Sequence, residues 1–466
     1  MSGIVGFFNV KEKIMNSQEI LMNMNNKLMH RGSDKDGYYI GDNIALGFRT
    51  ILCGDNQPIS FNFEGNTYVI VYDGNIYNLK ELKHELEQYD FCFSTNSDAE
   101  VILKGYIHFR ESFVNKLNGV FAFAIFDKNQ NSLFIARDHF GIKPFYYTII
   151  NNTFVFASEI KALFQFPNVN PKMDSMGICE LIGIGPAHTP GVTVFKDIYE
   201  IKPAHYGIYN DGGFHSKSYW KLRSKPHTDS LGKTCETIKY LLEDSIKKQL
   251  VSDLPVCSFL SGGLDSSIIS LYAANYYKVN DLKPLDTYSV DYVDNDKNFV
   301  KSDFQPNSDN YYIELMSKRL YSEHHNIVLD TPELADALEA AMIARDVPGM
   351  ADIDSSLLLF CKNVKPEASI ALTGECADEI FAGYPWFFRE DALSSNTFPW
   401  SIAIQERQTL LNNQISEKVD LKAYIDYRYN ESLNEVSLIG SDSKETLEKK
   451  KISHLTLNWF MQTLLD

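Results

Sequence analysis

Two strings carry residue types and spacings that could do chemistry. In Phe259-Leu260-Ser261-Gly262-Gly263-Leu264-Asp265-Ser266-Ser267 an apolar strand runs into Ser-Gly-Gly, and a helix begins at the acidic residue. The glycines let backbone approach an anion closely, the hydroxyls add donors, and the helix N-terminus adds unpaired N–H groups and a favourable dipole. That is the composition of a pyrophosphate cradle. It lacks the GxxxxGK[ST] pattern, which excludes a Ras-type phosphate loop. A carboxylate at Asp265 would repel phosphate unless a cation intervened, and magnesium is the natural bridge. The second string is Ile370-Ala371-Leu372-Thr373-Gly374-Glu375-Cys376-Ala377-Asp378-Glu379. Three carboxylates just after a short apolar strand suit an acidic helix start; at the same sheet edge as the first loop they better suit a second metal ligand and a general base.

The elements that must position these strings alternate. Helical patterns at 231–250, 265–277, 309–320, 332–345 and 355–362 interleave with strands at 256–260, 287–290, 325–329 and 369–372. Such alternation predicts a parallel doubly wound sheet with ligands at the carboxyl ends of its strands. Before it, short strands at 3–8, 45–52, 67–72, 120–127, 132–137, 145–150 and 153–157 group with helices at 17–29, 78–87 and 97–109, a layered α+β pattern. The last helix opens on Ser97-Asp98-Ala99-Glu100, a capping-box signature. Gly, Ser, Lys, Pro and His accumulate near 209–228. The division expected is therefore 1–210, a linker at 211–228, and 229–466. The polar stretch 291–310 reads as a solvated loop in preference to a substrate lid.

The composition fits this picture. A chain of 466 residues, 44% apolar and with a net charge of −17, builds sizeable cores and disfavours nucleic acid or an anionic membrane as partner. Seven cysteines, odd in number and without a CxxC pair, fit neither a disulfide framework nor a structural zinc site. His324-His325, Cys53 and Cys376 lack metal spacing, and Trp386, Trp400 and Trp459 read as packing. No apolar run approaches the length of a transmembrane helix, so a soluble, cytoplasmic protein is expected.

Taken with Gly-Ile-Val-Gly at the amino end, His30-Arg31-Gly32, Asp73-Gly74-Asn75-Ile76-Tyr77-Asn78, Arg137-Asp138-His139-Phe140-Gly141-Ile142-Lys143-Pro144 and Arg345-Asp346-Val347-Pro348-Gly349-Met350-Ala351-Asp352, the two strings resemble the asparagine synthetases, in their longer bacterial branch. The resemblance spans the chain. It implies an N-terminal-nucleophile amidohydrolase-type αββα sandwich of the type 2 glutamine amidotransferases, followed by an ATP-pyrophosphatase-type parallel α/β domain. It also implies a reaction. ATP and Mg would activate the aspartate side-chain carboxylate as an acyl-adenylate with release of pyrophosphate, and ammonia, supplied free or from glutamine, would displace AMP. Leu260, Ser261, Gly262, Gly263, Asp265, Ser266, Ser267, Val290, Thr373 and Gly374 would line the ATP site. Asp265 and Asp378 would hold the metal, Glu375 would take the proton from ammonia, and Asp346, Asp352 and Ser355 would meet aspartate. A homodimer is compatible with the resemblance.

The same resemblance exposes departures at the first domain's site. The nucleophile expected to be Cys is Ser2, a weaker nucleophile near neutral pH. The expected Asn-Gly-Glu is Asp73-Gly74-Asn75, which replaces an oxyanion donor by a group that only accepts hydrogen bonds when ionised. The Arg expected to grip glutamine falls on Thr50, with Arg49 adjacent as a substitute. Asp98 remains. Loss of glutaminase activity is therefore expected. Two other readings stay open: a cyclising synthetase of the β-lactam or lasso-peptide kind, and a non-catalytic paralogue. At the other end the apolar stretch 452–466 is expected to lack a covering partner, as though a further helical region with a phosphate-stabilising Lys were missing.

Overall fold

The computed structural model describes residues 2–51, 56–251, 254–301, 307–440 and 442–465. Cys53 and the centre of the polar stretch 291–310 lie outside the described residues, and the chain forms two compact units. The first comprises 1–223, 395–437 and 454–466; the second comprises 224–394 and 438–453.

In the first unit one sheet is built from β1 (Ser2–Asn9), β2 (Lys35–Ile40) and β3 (Ile44–Thr50). A second sheet starts with β4 (Ile59–Phe63), β5 (Asn66–Ile76), β6 (Gly119–Asp127) and β7 (Ser132–Arg137). Strands β8 (Tyr146–Ile150), β9 (Thr153–Ala157) and β10 (Tyr199–Glu200) complete the first, and β11 (His205–Asn210) and β12 (Gly213–Ser218) the second. The orders are β10-β8-β9-β1-β3-β2 and β12-β11-β7-β6-β5-β4. Strand alternation sorts the apolar residues into three layers. Ile4, Phe8, Leu46, Val69 and Val71 pack between the sheets. Val5 and Phe7 turn outward onto Leu21 and Met24 of the helix Ser17–Asn26. Tyr68, Ile70 and Tyr72 turn outward onto Leu82 and Val101 of the helices Leu79–Glu87 and Asp98–Phe109. This is the αββα sandwich.

The second unit holds β13 (Val256–Phe259), β14 (Leu285–Tyr292), β15 (Ser322–Leu329) and β16 (Ile370–Leu372), all parallel, in the order β15-β14-β13-β16. The helices Leu231–Leu250, Leu264–Val279, Asn310–Ser317, Thr331–Arg345 and Ala351–Val364 join and flank them. The parallel α/β expectation holds.

Four local readings need correction. The segment read as linker contains β12, paired with β11 from His205↔Ser218 to Asn210↔Gly213; its polar alternation disguised an edge strand. The capping box at Ser97 does not form. Glu100 reaches past Ser97 to the backbone N–H and hydroxyl groups of Ser94 and Thr95 and to Lys104, and Ser97 makes no side-chain cap. Arg49 does not stand in for an Arg at Thr50, because alternation along β3 turns it to the opposite face. The apolar carboxyl stretch is covered: Leu455, Trp459, Phe460 and Met461 are buried, and Trp459 and Phe460 pack on Phe398 and Trp400. Those aromatics belong to the first unit, whose strand-free segment 179–184 they meet through bonds from Trp400 Nε1 to Ile184 O (3.0 Å) and Ser401 Oγ to Gly183 O (3.1 Å).

Candidate active sites

In the second unit both strings leave the sheet at the carboxyl ends of adjacent strands. Ser258 of β13 pairs with Thr287 on one side and Leu372 on the other. Beyond it the Leu260 N–H still donates to Tyr288 O at 2.8 Å, so the loop is released only at Ser261. Gly262 has φ +78°, and a Cβ there would lie 2.8 Å from the Ile313 nitrogen; conformation and space both require glycine. Ser261 and Ser266 face each other at 2.9 Å between their hydroxyls, which ties the loop to the first turn of the helix Leu264–Val279. Gly263 caps that helix with no side chain in the way, and the Ser267 N–H returns to Gly263 O. Val290 lies in β14, half-buried against the core under the sheet.

The second loop presses against the first. A Cβ on Gly374 would come within 3.0 Å of the Ser266 nitrogen and 3.1 Å of the Asp265 Cβ, so glycine here sets the separation of the two loops. The Thr373 hydroxyl accepts from the Glu375 N–H at 3.2 Å. Cys376 takes φ +69° and turns the chain into the short helix Ala377–Phe381. Burial and then the charge of Asp265 push the Asp378 carboxyl above the usual range, so the two carboxylates sense one another. The Glu375 side chain keeps a face to solvent, yet the protein around its carboxyl desolvates it and, with Asp378, raises its pKa. Burial also lifts Cys376 to about 12, which leaves the thiol protonated and inert. Glu379, which the sequence reading left without a role of its own, is buried and accepts from Tyr384 OH at 2.9 Å.

The segment matched to aspartate binding lies between β15 and β16. Asp346 closes the helix Thr331–Arg345 with φ +66°, and Asp352 is exposed in the first turn of the helix Ala351–Val364. Ser355 is buried and its hydroxyl donates to Ala351 O of its own helix at 2.7 Å. Arg345 donates to Asp354 at 3.0 Å, a pairing the sequence reading missed; opposite charges nine positions apart across Pro348-Gly349 were its only signal. His324 bonds Thr287 and Ser289 within the sheet, and His325 pairs with Asp286 at 3.0 Å, so both histidines are structural.

In the first unit Ser2, Thr50 and Asp73 share the face between the sheets, at one end. Ser2 is paired with Thr50 across β1 and β3, with 3.5 Å between their hydroxyls. Asp73 continues the inward row of Val69 and Val71. Arg49, one residue from Thr50, necessarily points the other way. Its guanidinium is spent on Asn25 O (2.7 Å) and Asn26 Oδ1 (2.6 Å) at the end of the helix Ser17–Asn26, so it cannot grip a ligand beside Thr50. The Asp73 carboxylate is 1% exposed and accepts no hydrogen bond, but lies 3.4 Å from Lys143 and 3.7 Å from Arg31. Arg31 also donates to Ser2 O (3.0 Å) and Glu159 (2.9 Å). Gly74 is required, since a Cβ would strike Val120 O at 2.2 Å, and Asn75 is exposed. Asp98 accepts from Tyr72 OH and the Ile76 N–H, both at 2.8 Å. Arg31 and Lys143 stood in the quoted strings and Glu159 did not; only the folded sheet edge brings the three together.

Glu159 gives this edge a pH signature. Burial opposes its charge, but the hydrogen bond from His30 and the charges of Arg31 and Lys161 outweigh it and lower its pKa from 4.5 to about 2. A carboxyl with a depressed folded pKa stabilises the fold above its unfolded value and ceases to do so as pH falls. The expected result is a loss of thermal stability between pH 4.5 and pH 2. Glu159→Gln should flatten that limb in melting curves recorded across the interval; an unchanged slope would remove Glu159 from the account.

An antiparallel amidohydrolase-type sandwich and a parallel sheet with two facing loops define a two-domain chain of the amidotransferase–ligase class. Residues 1–220 match the glutamine amidotransferase domain family and residues 237–466 the asparagine synthase family. Asparagine synthetase [glutamine-hydrolyzing] 3 of Bacillus subtilis is 41% identical over all of this chain and 76% of its own length. Asparagine synthetase [glutamine-hydrolyzing] 1 of the same organism is 34% identical over 82% of this chain and 59% of its own. The chain belongs to the asparagine synthetase family. It spans about three quarters of the first relative and under two thirds of the second. A glutamine phosphoribosylpyrophosphate amidotransferase structure from B. subtilis aligns over 70% of this chain and 81% of its own, at 16% identity and a TM-score of 0.37. Among the described residues no helix is long and apolar enough to cross a membrane.

Proposed function

We propose that this chain is an ATP-dependent amide ligase that activates the side-chain carboxylate of aspartate and joins it to ammonia, giving asparagine, AMP and pyrophosphate. The observation that carries this reading is the approach of Gly374 to Asp265 and Ser266, which puts a phosphate cradle and a carboxylate loop at one sheet edge. The serine hydroxyls and the N–H groups of the helix start would hold the phosphates. Asp265 and Asp378 would hold magnesium: burial first, and then the charge of Asp265, raise Asp378, and a divalent cation would relieve both penalties. When bound it supplies neutralising charge on the departing pyrophosphate. Among the described residues no cluster of three or more His, Cys, Asp or Glu could hold a metal alone, so phosphate and water would complete its shell. Glu375, with its raised pKa, would take the proton that ammonia sheds on attack. The test is incubation with ATP, magnesium, aspartate and ammonium, assaying pyrophosphate and asparagine. No pyrophosphate from any carboxylate would refute the ligase reading.

The proposal extends to nitrogen supply: ammonia serves and glutamine does not. Ser2 for Cys, Thr50 for Arg and the buried Asp73 beside Lys143 and Arg31 support it, because the edge that should stabilise an oxyanion carries a carboxylate. Ser2→Cys alone is expected to leave glutamine hydrolysis at background, measured as glutamate release. Restored hydrolysis in that single variant would show that the surrounding pocket is intact.

A further inference from the structure

The short helix Ala377–Phe381, which carries Asp378, inverts the usual order of burial. Its one buried residue is Glu379, 2% exposed, while Ile380 and Phe381 are 59% and 50% exposed. An ordinary surface helix turns its apolar residues to the core and leaves its carboxylates in water. Apolar packing therefore holds this helix little, and five residues are too few to hold themselves. What closes on it is the returning chain. Ala382 takes φ +59°, the Gly383 N–H donates to Asp378 O at 2.9 Å, and Tyr384 OH donates to Glu379 Oε1 at 2.9 Å. The Tyr384 ring is stacked on Trp386 with 4.2 Å between centroids, and Phe387 beyond it is buried, so the hydroxyl is offered from an anchored ring.

The chain closed by this bond contains Gly383, and Gly383 is the surface against which the Asp378 carboxylate lies. A Cβ there would fall 1.8 Å from Asp378 Oδ1 and 2.8 Å from its Cγ. The position of Gly383 thus sets the position of that carboxylate, and the bond on the next residue, Tyr384, sets the position of Gly383. Burying a carboxylate costs free energy unless hydrogen bonds meet it. Only one oxygen of Glu379 is met in this way; Oε2 is buried without a partner among the described residues. Leucine at this position would serve packing better. The bond to Tyr384 is what the carboxylate supplies in exchange.

We propose that Glu379 is a positioning residue: through Tyr384 and Gly383 it holds the Asp378 carboxylate where a divalent cation on the ATP phosphates can take it. The inference rests on the reading of Asp265 and Asp378 as metal ligands, and it makes Glu379 act as a hydrogen-bond acceptor and not by its charge. Its test reads no turnover: Mn²⁺ with ATP is titrated into the full-length protein, and binding is followed by the enhancement of water-proton relaxation over Mn²⁺ and ATP alone. Tyr384→Phe keeps the ring and its stack and removes only the hydroxyl. It should weaken Mn²⁺ binding about tenfold, the scale on which a partner of a metal ligand acts. Glu379→Leu should do the same. Glu379→Gln keeps a carbonyl oxygen for Tyr384 and should stay within about twofold of the parent. In Tyr384→Phe the bound ion should also gain a water in place of Asp378, seen as broader Mn²⁺ EPR lines in ¹⁷O water, with Tm near the parent value; a merely structural bond would not change the ion's hydration. Parental affinity in Tyr384→Phe, unchanged hydration, or a loss in Glu379→Gln equal to that in Glu379→Leu would each overturn the proposal. A parent that binds Mn²⁺ with ATP but releases no pyrophosphate would refute the ligase reading alone, whereas a parent that binds none would overturn the positioning role as well.

Discussion

Asp265→Asn is expected to lower aspartate-dependent pyrophosphate release by about 10²–10³-fold, the scale on which a single preorganised electrostatic contact is lost from a transition state. The substitution keeps the size of the side chain and its place in the first turn of the helix Leu264–Val279. It also removes the charge that, after burial, pushes Asp378 upward. Folding should therefore be no weaker: two carboxylates that repel become one carboxylate and one amide, and Tm should hold or rise. The combination of a large rate loss with an unharmed fold distinguishes a metal-bridging role from a structural one. Raising magnesium should recover part of the rate, because a site with one carboxylate still binds the ion, only less tightly. A variant that keeps its rate within threefold at limiting magnesium would rule out Asp265 as a ligand.

How far the fold was legible depended on whether an element's partners were local. Each strand of the parallel sheet sat between helical patterns, and the structure shifts the ends of these elements by a few residues, lengthening most and trimming 256–260, 309–320 and 369–372, without moving them. The inward row Val69, Val71, Asp73 and the opposite-facing pair Arg49 and Thr50 were also legible in principle, since alternation along a strand is fixed. The idea that Arg49 could replace an Arg at position 50 failed on that rule alone. What no local pattern carried was long-range cover. Strand β12 is polar because it is an edge strand, and its pairing with β11 shows only in the folded sheet. The helix Leu421–Leu433 and the segment from 454 onward pack with the first unit, some 200 residues or more from their partners; Arg407 alone donates to the carbonyls of Gly183 (3.3 Å), Gly185 (2.5 Å) and Trp400 (2.8 Å). The candidate site divides in the same way. Two glycine-bearing strings announced one sheet edge, whereas the buried charges around Asp73 came from four separate stretches.

The largest expected loss of stability lies in the first unit, at Arg137. Its side chain is wholly buried and every nitrogen is used: Nε donates to Lys143 O (2.8 Å), one terminal nitrogen to Glu200 (2.8 Å) and Ile201 O (2.9 Å), and the other to Gly141 O (2.7 Å). One side chain thereby fixes the loop 138–144, whose backbone N–H groups at Phe140, Ile142 and Lys143 are gathered by Asp138. Glu200 is buried too, and although burial raises its pKa, Arg137 and His188 hold it down at about 2. Arg137→Met fills most of the volume but strands that carboxylate with only His188 (3.4 Å) and the Gly191 N–H (2.8 Å). Removing one partner of a buried ion pair costs about 3–5 kcal/mol, whereas replacing both by apolar residues is often far cheaper. The double variant Arg137→Met, Glu200→Leu should therefore be more stable than the single one, though below the parent, because the carbonyls of Gly141, Lys143 and Ile201 remain unmet. Urea unfolding of the first unit, followed through Trp220, Trp400 and Trp459, would measure all three proteins. If the single variant lost less than about 1 kcal/mol, the buried pair would not be what anchors the loop. If the double variant were the weaker of the two, the carbonyl bonds and not the stranded charge would account for the cost.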